Sequence, residues 1–382
     1  MTRPPATDSP PRSDRNRAAS AALTDWLRRH RTKLLGSLLI GVAFVALLRA
    51  GGLPLVPDVE AFRRVKWWTV PAYVGLWTGV HVIRALRWHW LLIPLHRVPA
   101  RTTLPVAFVG FAAILLLPFR TGEAVRPVLL HRRGGVSGWT AAGTIAAERI
   151  LDGLGVSLLL LLFLRIGTPL DPLPDRIGDL PVSARVVPAA AYGALAAFLV
   201  AFGLLAAFYW RREWARRMTH AIVGAASPAL ARWVAERVER VAQGLRFLPQ
   251  PRSLVPFILS TAAYWMLNGA AAWLLAWGCG FDAVGFAEAF VNVGVIALGI
   301  VTPCAPGFFG TFQMSSYAGF AMYFPPADIV SAGAAFVFIV YLAQLGITVG
   351  FALVSALVGG AGLLDGLTPA PRDSDSAEHQ AS

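Results

Sequence analysis

The chain has 382 residues, 56% of them hydrophobic and only 14% charged. A soluble domain carries about 25% charged residues, so this composition excludes an ordinary water-soluble protein, and the mean hydropathy of +0.59 agrees. The net charge of +13 is almost all arginine, with Lys33 and Lys66 the only lysines; it reads either as genomic base composition or as attraction to anionic lipid headgroups.

Residues 1–30 are rich in Pro, Ser and Arg and are expected to form a disordered basic tail. The lead is too long for a signal peptide and no A-x-A-like site follows the apolar run, so the first span, roughly 33–50, is read as uncleaved. The second span, 67–90, opens with Trp67 and Trp68 and closes with Trp88, as an interfacial aromatic belt would place them. Residues 103–118 are apolar but short, ending at Pro118. Residues 138–165 form a long helix with Glu148, Arg149 and Asp152 inside it. Spans at 187–210 and 253–278 follow.

Between them, residues 211–252 hold nine Arg against three Glu, with Val234, Val238, Val241 and Leu245 at helical spacing. This segment reads as a cytoplasmic amphipathic helix on the membrane surface or as an ordinary loop helix. Two short apolar segments, 286–302 and 307–324, are broken by Pro303, Pro306, Gly307 and Gly310. The last span is roughly 327–358, and 366–382 is expected to be a second disordered tail, leaving 31–365 as the membrane domain. Non-alternating runs such as Leu158–Leu162 favour helices over a β-barrel.

Charge asymmetry sets the expected topology. The N-terminal tail and the 211–252 block should both be cytoplasmic, which requires an even number of crossings between them. Residues 103–135 should therefore enter and return on one side. The same logic makes 286–324 a second re-entrant pair from the opposite side and leaves the C-terminus cytoplasmic. The expected fold is all-α: a polytopic bundle of about six full spans plus two re-entrant pairs. Pro118 and Gly122 repeat the spacing of Pro306 and Gly310, which raises an inverted repeat, and interrupted segments paired in this way point to a transporter binding site.

A charge at the centre of a spanning helix costs about 2.5–3.5 kcal/mol on insertion scales, so three clusters stand out. Arg84 and Arg87 share a face at i, i+3, either snorkelling to the interface or reaching inward. Arg120, Glu123 and Arg126 would share one side if helical; with Gly122 allowing close backbone approach, they suit a phosphate or form a solvated loop. Glu148 and Asp152 share a face, with Arg149 in reach of Asp152; they line a site or simply pair Arg120 or Arg126. In the second half Gln313 follows the Pro-Gly break, while Asn268, Glu288, Asn292 and Gln344 read first as helix–helix glue.

No P-loop, H-E-x-x-H, G-x-S-x-G or Cys/His cluster occurs, and Cys279 and Cys304 lack metal-ligand spacing. No catalytic residue, metal, cofactor or nucleic-acid partner is expected.

These residues resemble a known family. Arg84-Ala85-Leu86-Arg87-Trp88 is similar to the R-x-x-R-W segment of the flippase-like membrane domain of lysylphosphatidylglycerol synthases. Pro118 to Arg126 resembles its P-x-R-x-G-E-x-x-R motif, Glu148 to Asp152 its E-R-x-x-D motif, and Pro303 to Gly310 its late Pro-Gly turn. The resemblance covers roughly residues 33–360. It implies a bacterial inner-membrane protein that moves a phospholipid or lipid-linked phosphate between leaflets, with Arg84, Arg87, Arg120, Gly122, Glu123, Arg126, Glu148, Arg149, Asp152, Pro306, Gly307, Gly310 and Gln313 as substrate-binding candidates. It matches the translocase half alone, so synthase activity is not carried over. Two departures leave the second half less charged: Gln313 stands where the family usually has Glu, and Val337 to Gln344 carries no Arg.

Translocation without ATP is the leading expectation, with loss of Arg120 or Glu148 abolishing transport but not folding. A membrane glycosyltransferase or accessory subunit acting on polyprenyl-phosphate sugars is the alternative, with Glu148 or Asp152 as general base. A lipid-synthesis or glycosyltransferase partner is possible on either reading. A scaffold role for 211–252 leaves the buried charges unexplained.

Overall fold

The computed structural model describes residues 12–95, 98–210, 236–237, 239–302 and 304–359. The start of the N-terminal tail, the C-terminal tail 366–382, Pro303, and Val234 and Val238 of the basic block lie outside the described residues. All regular elements among the described residues are helical.

Six long helices carry the architecture: α1 (Arg12–Ala50), α3 (Thr69–Leu92), α6 (Gly138–Ile166), α7 (Val186–Trp210), α8 (Pro251–Gly278) and α11 (Pro326–Val358). α2 (Val59–Arg64) is a short connector whose N-cap Asp58 accepts from the Ala61 amide at 2.7 Å. At 1.5 Å per residue the shortest of the six, 24 residues, reaches about 36 Å, enough for a hydrocarbon core of about 30 Å. α1, α7, α8 and α11 also meet the composition of a membrane span; α3 and α6 miss it because they carry the charged clusters. In α7 only 6% of the most apolar stretch is buried, and Leu199, Val200 and Leu204 point outward. An outward face so apolar belongs in lipid. α1 starts at Arg12, inside the stretch expected to be disordered; its early residues include good helix formers (Ala18, Ala19, Ala21, Ala22, Leu23).

Two hydrophobic cores occupy opposite poles. One gathers Leu48, Leu160, Val187, Ala276, Phe320 and Ile329; the other gathers Trp88, Leu130, Ala141, Leu245 and Phe257, with Phe351 against it. α3, α6, α8 and α11 run from one to the other.

Two helical hairpins fill the space between. α4 (Ala100–Leu116) and α5 (Val125–Gly134), joined by a 3-10 turn over Pro118–Ala124, begin and end at the second pole, where Val98, Leu130 and Val136 share one core. α9 (Phe286–Gly299) and α10 (Thr311–Ala321), joined through a turn at Pro306–Phe308, begin and end at the first, where Val284 and Phe320 share the other. The tips meet: Arg120 Nη1 donates to the Ile300 carbonyl at 2.9 Å, and α1 touches both, with Gly36 against Phe119 and Gly41 against Ala305.

The equivalence expected between the two Pro/Gly pairs holds in position but not in conformation. Gly122 is needed for close approach, since a Cβ there would lie 2.1 Å from the Ala113 backbone. Gly310 has φ +83 and would also strike Phe44 at 2.2 Å. The described end of the basic block, residues 239–250, does not simply lie on a surface. Leu245 and Phe247 are buried in the second core, and the Val241 carbonyl packs on Gly143 of α6.

Candidate functional site

The three charged clusters converge between the two cores. Arg87 on α3 donates to Asp152 on α6 at 2.5 Å and lies 3.7 Å from Glu148. Arg126, at the start of α5, meets Glu148 at 3.0 Å, and Arg149 reaches Glu148 at 2.8 Å and Asp152 at 3.8 Å. Arg87, Arg126 and Glu148 are fully buried. One carboxylate thus holds three guanidinium groups together. Such a buried network is strongly weakened by loss of one partner, so this geometry predicts that removing Glu148 weakens folding as well, against the expectation that folding stays intact.

The aromatic surroundings explain how so much charge is tolerated. The Arg87 guanidinium sits 4.7 Å from the Tyr264 ring, and Arg126 sits 5.2 Å from both Trp88 and Phe111. Cation–π contacts gain strength when desolvated. The Trp88 indole in turn donates to Thr144 at 3.2 Å, which fixes α3 on α6.

Arg120, Glu123 and Arg126 do not form the single face expected. Phe119 and Arg120 take left-handed backbone, with φ of 51 and 55, and this reversal separates the two arginines. Arg120 pairs Glu123 through two nitrogens, at 2.7 and 3.1 Å, while Arg126 turns into the core.

A cavity of about 370 Å³ opens beside the network, inside the range of small-ligand sites. Arg84, Arg120, Glu123, Arg149 and Asp152 line it, with Phe111, Tyr264 and Trp265 as apolar walls. Arg84 stacks on Phe111 at 4.1 Å and, alone among the arginines of the cavity wall, makes no ion pair or hydrogen bond within the described residues. The whole cluster sets five guanidinium groups against three carboxylates, a net charge of +2.

The second-half candidates are placed elsewhere. Gln313 accepts from the Gly310 amide at 2.7 Å and caps α10. Gly307 packs under the Tyr341 hydroxyl, and Pro306 opens the same turn. None of the four lines the cavity; Phe308 of that turn does. Trp77, Phe111, Tyr264 and Trp265 escaped the sequence reading. Trp77 offered a signal, since it stands two helical turns before Arg84 on the same stripe.

Fold and site together define a polytopic helical membrane protein with an arginine-rich cavity lined by both hairpins and the long helices around them. Residues 34–350 match the family described as lysylphosphatidylglycerol synthase TM region, and the chain belongs to that family, whose context is lipid metabolism or transport in a membrane. No curated protein and no solved structure matches the chain.

Proposed function

We propose that this protein is a translocase for a lipid carrying a phosphate in its headgroup, acting in the bacterial inner membrane without ATP. The observation that carries the reading is Arg84: a guanidinium at the wall of the cavity, with the neighbouring carboxylates Glu123, Glu148 and Asp152 each paired with another arginine. Arg84 is half-buried and faces the cavity without an ion-pair partner among the described residues, and a phosphate oxygen is a natural acceptor for its forked N–H groups. Arg149 and Arg120 stand on either side as further donors. Glu148 and Asp152 hold the network at its net charge and so tune the cavity for one anionic group.

The two hairpins act as re-entrant pairs, one from each side of the bilayer, with the N- and C-termini cytoplasmic. Their contact at Arg120 and Ile300 separates the cavity from one pole or the other. Release of that contact exposes the headgroup to alternate leaflets while the acyl or prenyl tails remain in lipid. The glycosyltransferase alternative gains nothing from the carboxylates, because Glu148 and Asp152 are both engaged by arginines.

The test uses purified protein in liposomes with fluorescent phosphatidylglycerol and a membrane-impermeant reductant. Wild type is expected to lose the protected inner-leaflet signal. Arg84→Gln should lower the rate at least about tenfold, as removal of one charge-assisted contact of ~1.5–3 kcal/mol implies, and Arg84→Lys should fall between. Wild-type rates in Arg84→Gln would overturn the assignment.

A further inference from the structure

Arg84 accounts for one end of the cavity only. Away from the cluster it continues, past Trp77, Tyr264, Trp265 and Gln344, into a chamber of about 90 Å³ that those same residues line. Among the described residues, no Asp, Glu, Lys, Arg or His lines this second chamber. Its walls combine aromatic rings and amides with aliphatic side chains such as Val293, Ile296 and Val340. Tyr73 and Trp77 are stacked within 5° of parallel, and Tyr264 and Trp265 meet edge to face at 4.9 Å.

The residues that line it carry unpartnered polar atoms of both kinds. The indole N–H groups of Trp77 and Trp265 are buried and have no acceptor among the described residues; Trp265 as a whole is 6% exposed. Buried donors normally find a partner. On the acceptor side, Asn268 spends its Nδ2 on the Tyr264 carbonyl and Gln344 its Nε2 on the Tyr73 hydroxyl, both at 3.1 Å. Neither amide oxygen has a protein donor among the described residues.

Resting on the reading of a phosphate at Arg84, we infer that the group attached to that phosphate is uncharged and hydroxyl-rich, a sugar or smaller polyol. A hydroxyl both donates and accepts, so it satisfies indole N–H and amide oxygen together, while sugar C–H faces lie on the aromatic rings. A cationic, aminoacylated headgroup fits poorly. Its ammonium groups only donate, so they satisfy neither indole, and they would enter a chamber whose described lining holds no carboxylate. The carboxylates that could neutralise it, Glu123, Glu148 and Asp152, are each already bound by arginine. The cluster's surplus positive charge repels it as well.

The test compares ligands of equal phosphate charge by native mass spectrometry of the full-length protein. Phosphatidylmethanol is set against phosphatidylglycerol and lysyl-phosphatidylglycerol, and a short isoprenyl methyl phosphate against its hexosyl counterpart. At least one hydroxyl-rich member should bind about tenfold or more tighter than its methyl partner, as one to two net hydrogen bonds imply; the responding pair identifies whether a polyol or a sugar is taken. In Trp265→Phe, and independently in Trp77→Phe, that ratio should fall several-fold toward one, while lysyl-phosphatidylglycerol binds no better than phosphatidylmethanol. Equal binding within both pairs, or tightest binding of the lysyl lipid, overturns the inference and leaves the phosphate site standing. Binding of all phosphate lipids that is unchanged by Arg84→Gln removes the phosphate site itself, and the inference with it.

Discussion

Replacing Glu148 by glutamine keeps the side chain's shape and removes one negative charge from a fully buried position. Three guanidinium groups lie within 3.7 Å of that carboxylate, so the cluster's net charge rises from +2 to +3. Arg126 then has no remaining carboxylate partner, since Glu148 is its only ion-pair partner among the described residues. Breaking a buried pair by removing one partner costs about 3–5 kcal/mol. Arg149 keeps Asp152 at 3.8 Å and Arg87 keeps it at 2.5 Å, which places the expected loss near the lower figure. Reversible unfolding in mixed micelles of increasing denaturing detergent measures it. The paired variant Glu148→Gln, Arg126→Met removes the stranded cation and should recover a large share of the loss, because a buried ion pair replaced as a unit by apolar packing is often neutral. Wild-type stability in Glu148→Gln, or a paired variant no better than the single one, would refute the view that Glu148 holds the bundle together.

Asp152→Asn should cost less than Glu148→Gln in the same titration, since Asp152 is partly exposed to the cavity and Arg87 retains Glu148. Gly122→Ala forces a methyl into the Ala113 backbone and should destabilise by at least about 1–3 kcal/mol, whereas Gly346→Ala, with open space around it, should be neutral or stabilise by up to about 1 kcal/mol; melting curves compare the two. Gln313→Ala removes the cap on α10 and should cost about 1 kcal/mol with the transport rate per folded molecule unchanged, as read in the liposome assay.

The fold was legible where its physics is one-dimensional. A run near twenty apolar residues has few ways to exist except as a spanning helix, so α1, α7, α8 and α11 stand out from composition. A turn-back at Pro118 was expected from charge, because a full crossing there would separate the Arg-rich block from the basic N-terminal tail; α4 and α5 do form a hairpin there. The meeting of Arg126 with Glu148 was among the readings open in the sequence, because two buried charges of opposite sign seek each other. The Arg87–Asp152 pair was not, since nothing in the chain fixes how α3 rotates against α6. The aromatic walls were hidden for another reason. Trp77, Tyr264 and Trp265 look the same in sequence whether they face lipid or a cavity, and 11% of this chain is aromatic. Gln313 was ambiguous because a glutamine three residues after a glycine at a helix start satisfies a backbone amide, as it does here, as readily as a ligand.

The central claim is that a lipid phosphate enters the cavity at Arg84. A photoreactive phosphatidylglycerol, with its reactive group beside the phosphate, tests it directly in proteoliposomes, followed by peptide mapping. The account predicts labelling at Phe111 on α4 and at Tyr264 and Trp265 on α8, abolished in Arg84→Gln. Labelling confined to outward residues such as Leu199 and Leu204 on α7, and equal in both proteins, would contradict it.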